Sequence, residues 1–171
     1  MTKRRLISLL TVIAMSTTVV PASAMQLGAG LHYLRTIDDF GGVSGVSQND
    51  FSLFGSITFP VAIVKVEGIL EWTPDYVGSD EHLLQPAAYG LLDLGLIYGG
   101  AGIGIGYLTG DNAGWASNPF YALRAGVEFG LAGFAMDAFA SYRFQSANFL
   151  DGAQNLDLNA LTLAAQIKFS L

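Results

Sequence analysis

The chain contains no cysteine, which rules out a disulfide framework and a thiol nucleophile and leaves stability to the fold itself. It is also poor in positive charge, with 8 Lys and Arg against 14 Asp and Glu and a formal net charge of −6. Three of the eight, Lys3, Arg4 and Arg5, sit at the extreme N-terminus, leaving Arg35, Lys65, Arg124, Arg143 and Lys168 for the remainder. So acidic a balance excludes nucleic acid as a partner. Long apolar runs are missing too. Beyond residue 24 the nearest approach, residues 87–108, is broken by Asp93 and by Gly99, Gly100, Gly102, Gly104 and Gly106. Each of those glycines would cost a helix about 0.8–1 kcal/mol relative to alanine, so a spanning helix is a poor reading.

What is present begins with a targeting segment. Lys3 to Arg5 form a basic region, Leu6 to Val20 an apolar one, and Ala22-Ser23-Ala24 a small-residue cleavage site. Residues 1–24 are therefore expected to be a signal peptide, and residues 25–171 one exported domain.

The exported part alternates with period two. Eight strands are expected, over residues 26–37, 50–59, 61–73, 87–98, 101–109, 119–130, 133–145 and 158–170. Tight turns are expected at Phe59-Pro60-Val61, Gly99-Gly100 and Gly130 to Ala132, and longer Gly/Asn/Asp/Ser-rich loops at 38–49, 74–86, 110–118 and 146–157. One parity is free of charge and carries residues such as Leu31, Leu53, Leu70, Tyr98, Leu123 and Met136. The other carries Lys65, Glu67, Glu71, Asp93, Arg124, Glu128, Asp137, Arg143 and Lys168. A soluble barrel would put the first set inside and the second outside. Ionisable groups of both signs at strand centres favour the reverse, an all-β, antiparallel up-and-down transmembrane barrel whose narrow interior those nine residues fill as interlocked ion pairs. Inward glycines, Gly28, Gly30, Gly95, Gly102, Gly104, Gly106 and Gly126, would make room for the long cationic side chains.

The final segment, LTLAAQIKFSL, places Ile167, Phe169 and Leu171 on the outward face at the end of the chain. Behind a secretory signal, this resembles the closing strand of the small outer-membrane barrels of the OmpA and OmpX type. The likeness extends over most of residues 26–171, although Leu171 stands where that pattern most often has Phe. It implies residence in the outer membrane of a Gram-negative envelope, contact with its lipid, and insertion by the barrel-assembly machinery through Ile167, Phe169 and Leu171.

Chemistry is harder to find. GGAGIGIG fails the dinucleotide spacing, and no helix follows it. His32 falls on the inward parity, where a packed interior histidine is the plain reading. His82 lies beside Ser79, Asp80 and Glu81, but adjacency in sequence does not make a triad. No catalytic, cofactor or metal residues are assigned, and no enzyme is expected. The expected loop regions hold Asp38, Asp39, Asp75, Asp80, Glu81, Asp111, Asp151 and Asp157, with Asp50 at a strand start and no Lys or Arg among them. Such loops could attract a divalent cation or a basic partner. The reading is thus a structural or surface-interaction barrel with acidic extracellular loops, the alternatives being a lipid-modifying enzyme or a small-solute channel.

Overall fold

A computed structural model describes residues 25–36, 49–75, 81–110, 114–115, 119–131, 133–145 and 160–171. The signal segment and most of the acidic loop residues, including Asp38, Asp39, Asp80, Asp111, Asp151 and Asp157, lie outside the described residues.

The strands are β1 (Gln26–Thr36), β2 (Asn49–Val61), β3 (Val64–Thr73), β4 (His82–Asp93), β5 (Ile97–Gly104), β6 (Tyr107–Thr109), β7 (Gly114–Trp115), β8 (Phe120–Leu131), β9 (Phe134–Gln145) and β10 (Ala160–Ser170). β5 and β6 keep one register against β4, since Ala87 pairs with Gly104 and Leu84 with Tyr107. They form one wall strand interrupted opposite Pro86. Its carbonyl accepts the Ile105 N–H at 3.1 Å, but proline has no N–H to return. β7 is a short ladder against β6 at the loop rim. The wall therefore has eight strands, each antiparallel to the next, and β1 closes against β10 with Leu27 opposite Phe169 and Tyr33 opposite Leu163. Closure leaves no sheet edge, the condition for a β-structure to lie in hydrocarbon.

The faces are inverted relative to a soluble protein. Leu31, Leu53, Leu70 and Leu123 are 50–57% exposed, whereas Glu67 is 0% and Lys168 1% exposed. Only an apolar solvent makes that distribution favourable. Tyr33, Trp72, Tyr107, Tyr121 and Tyr142 lie near the loop rim of the outer face and Phe59, Phe129, Phe134 and Phe169 near the turn rim, as two girdles.

Three turn expectations need correction. Gly99-Gly100 is not a turn; both residues lie inside β5. The chain reverses at residues 94–96 instead, where Gly95 has φ +94° and donates its N–H to Asp93 Oδ1 at 2.9 Å. A left-handed position is what a tight reversal requires of glycine, and Gly95 supplies it. Gly100 answers a different need: a Cβ there would strike the Gly90 carbonyl oxygen and lie 2.9 Å from Leu91 Cα. The earlier reversal moves Tyr98 from the lipid face to the interior, where it is 4% exposed, and moves Gly95 out of the lumen. Likewise β2 continues through Val61 and turns at Ala62, with φ +56°, while the β8–β9 turn sits at Gly133, with φ +86°. His82 through Pro86, expected in a loop, open β4.

Candidate functional site: the filled lumen

The inward side chains assemble into two polar groups. Towards the turn rim, Lys168 Nζ on β10 is 2.9 Å from Glu67 Oε2, Glu128 Oε2 and Asp137 Oδ2. Three carboxylates from three other strands thus share one ammonium. Arg124 on β8 reaches across to Glu67 Oε1 at 2.7 Å through Nη1, and to Asp137 Oδ2 at 3.3 Å and the Tyr98 hydroxyl at 2.9 Å through Nη2. The same Tyr98 hydroxyl donates to Asp137 Oδ1 at 2.7 Å. Lys65 closes the turn-side end, bonded to Glu128 Oε1 at 2.7 Å and 2.9 Å from Asp93 Oδ2. Thr58 donates to Glu67 at 2.9 Å, Ser56 to Gln166 at 2.7 Å, and Gln166 to Asp137 at 2.8 Å. Charges removed from water are tolerable only when paired and hydrogen-bonded in this way.

The second group lies towards the loop rim. Glu71 on β3 accepts from Arg143 Nη2 and Ser52 Oγ, each at 2.5 Å, and Arg143 Nη1 bonds Gln85 at 3.2 Å. His32 Nδ1 is 3.0 Å from Glu71 Oε2, an ion-pair distance without hydrogen-bond alignment. The nine expected network residues all face inward, but Glu71 and Arg143 stand apart from the other seven.

Rings separate the two groups. His32 stacks on Phe54 at 4.4 Å and meets the edge of Phe139 at 5.2 Å, and Phe54 and Phe139 are 5.9 Å apart. The Arg124 guanidinium carbon lies 3.3 Å from the Phe139 centroid, so a cation from one group caps the septum. Tyr89 and Phe120, 4% and 0% exposed, extend this apolar interior towards Leu83 and Leu108.

Of these rings only His32 was placed inside from the sequence, although parity alone places Phe54 with Ser52 and Ser56, and Phe139 with Asp137 and Ser141. A finer signal lies in the register. Inward Phe54 is opposite Gly30, Tyr89 opposite Gly102, Phe120 opposite Gly104, and Tyr98 opposite Gly126, which also faces Phe139. Most of the expected room for cations is therefore room for rings. Gly28 is the exception, since a Cβ there would come within 3.1 Å of Lys168 Cγ. At Gly102 a Cβ would strike Tyr89 Cδ1 and lie 2.6 Å from the Ala88 carbonyl oxygen. Gly102→Val is therefore expected to cost about 1–3 kcal/mol, read as an earlier midpoint in urea unfolding from lipid vesicles.

At the seam, Ile167, Phe169 and Leu171 face outward, 45%, 57% and 66% exposed. Leu171 N–H donates to Met25 O at 2.9 Å, so both ends of the described chain meet at the turn rim.

No family model matches this sequence, and a comparison with curated proteins gives no match. Solved structures do resemble it. The chain is similar to Neisserial surface protein A, NspA, with a TM-score of 0.64, 15% identity, and coverage of 87% of this chain and 98% of that one. It is also similar to OprG of Pseudomonas aeruginosa (TM-score 0.53, 14% identity, 88% and 96% covered). The N-terminal β-barrel of Pseudomonas aeruginosa OprF gives a TM-score of 0.50 at 14% identity, with 85% and 97% covered. With its closed wall, apolar exterior and charged interior, the chain has the eight-stranded outer-membrane β-barrel fold of the OmpA/OmpX type.

Proposed function

We propose that the protein is a non-conducting, non-enzymatic surface barrel that acts through its acidic loops on a basic partner. The observation that carries this reading is the lumen, where Arg124 and Lys168, 2% and 1% exposed, are locked to carboxylates across its width. Ions entering from either rim would meet paired charges and then rings instead of water. The geometry also speaks against hydrolysis. Ser52 and His32 both address Glu71, so the carboxylate stands between the hydroxyl and the imidazole, and that carboxylate is itself held by Arg143. Among the described residues, no group of three or more His, Asp or Glu is placed to hold a metal. A divalent cation at the loops is the second form of the proposal.

The test has two arms. In planar bilayers the protein is expected to show no stable unitary steps, and repeated openings of uniform size would overturn the closed-lumen reading. For the loops, binding of a polylysine probe to barrel-containing vesicles is expected to weaken steeply between low and physiological salt. Salt-independent binding, or none, would remove the basic-partner reading while leaving the lumen result standing.

A further inference from the structure

The outer wall carries a furrow that follows the hydrogen-bond register. Its floor is the backbone row Asp137, Gln166, Gly30 and Phe54, which pair in succession across β9, β10, β1 and β2. Those side chains turn inward. One ridge runs through Met136, Ile167, Ala29, Gly55 and Leu70, the other through Ala138, Ala165, Leu31, Leu53 and Trp72, and both are successive partners in the ladder. Over four strands, where one ridge is large the other is small: Met136 and Ile167 face Ala138 and Ala165, while Leu31 and Leu53 face Ala29 and Gly55. The channel shifts sideways over those strands and is flanked on β3 by two large side chains, Leu70 and Trp72. Two continuous stretches, of about 570 and 540 Å³, meet over Ala29, Gly30 and Leu31.

Dimensions select the occupant. From Phe129 on β8 to Leu84 on β4 the furrow crosses seven strands, so six spacings of about 4.8 Å give about 29 Å. Because strands in such barrels tilt by about 35–45°, the row climbs obliquely from the turn-side girdle at Phe129 to the loop-side girdle at Trp72. The ridges are two residues apart, about 7 Å. A helix, about 10–12 Å across, does not enter. A second barrel, convex like this one, would touch along a line and cover only part of an oblique furrow. No outward side chain along it is charged, and its climb of about 17–20 Å fits within the apolar band of about 25 Å.

We propose that this furrow is a seat for an acyl chain of a phospholipid, held in preference to the lipid around the rest of the wall. The site depends on the barrel's position in a bilayer and not on what its loops bind.

Trp72 forms one ridge, and the only other tryptophan is Trp115. A Trp115→Phe protein in dodecylmaltoside micelles, titrated with chain-brominated phosphatidylcholine, is expected to show Trp72 quenching that saturates near one lipid per barrel. Filling the furrow with Gly55→Leu is expected to weaken that saturable phase about tenfold. A Cβ at Gly55 meets nothing nearer than 3.9 Å, so the substitution leaves the backbone room. Ala165→Leu fills the other stretch and serves if the first variant does not fold. Quenching that rises without saturation, or that is the same in filled and open barrels, would overturn the proposal. So would a lipid-free dimer, by mass measurement, that either substitution dissociates.

Discussion

Lys168→Met is expected to destabilise the barrel by about 3–5 kcal/mol, the largest effect of any single side-chain replacement in the lumen. Among the described residues the ammonium is the one group within 2.9 Å of Glu67, Glu128 and Asp137 together, and Lys168 is 1% exposed. Methionine keeps most of the volume, so the loss is electrostatic and not a cavity. Arg124 still pairs Glu67 and Asp137, and Lys65 still pairs Glu128, but each carboxylate loses a charge-assisted partner where water cannot replace it. Urea titration in vesicles, followed by tryptophan emission and by the loss of heat-modifiable migration, measures the difference. A change below about 1 kcal/mol, the size of an exposed pair, would mean that the network is hydrated.

The second large effect concerns assembly. Deleting Phe169–Leu171, or replacing Phe169 by Asp, is expected to lower the outer-membrane level about tenfold or more, with the chain degraded in the periplasm. Phe169 pairs with Leu27 on β1 and Phe134 on β9, and Leu171 donates to Met25, so the deletion takes the turn-side end from both seams of β10. An aspartate at this outward position would also place a charge in lipid. Fractionated envelopes probed for the barrel give the readout. Wild-type abundance with normal heat-modifiable migration would show that the last three residues are dispensable.

The strands were legible because lipid and lumen impose opposite chemistry on successive residues, so alternation survives even where loops are unreadable. Lys168 could be placed inside on that basis, and Phe169 on the outward face. The failures came where one residue type serves two purposes. Gly99-Gly100 has the composition of a hairpin turn, yet its need for glycine is lateral, set by the approach of β4, and only Gly95 meets the conformational need. That single displacement carried Tyr98 to the wrong face and hid the phenol that joins Arg124 to Asp137. The division of the lumen by Phe54 and Phe139 was illegible for another reason: inward aromatic residues share parity with charged ones, and only register shows which of them meet.

The pairing of β1 with β10 also bears on time. The two strands are the first and last of the described strands, and the closing ladder joins residues as far apart in sequence as Gln26 and Ser170. Contacts so distant incur the loop-closure entropy before they return any stabilisation, which makes closure slow compared with hairpin formation. Until the final residues are delivered, the edge of β1 that will receive β10 remains an unpaired template for any passing strand. Shielding that edge in transit is therefore a requirement on the cell, written into the order in which this chain is made.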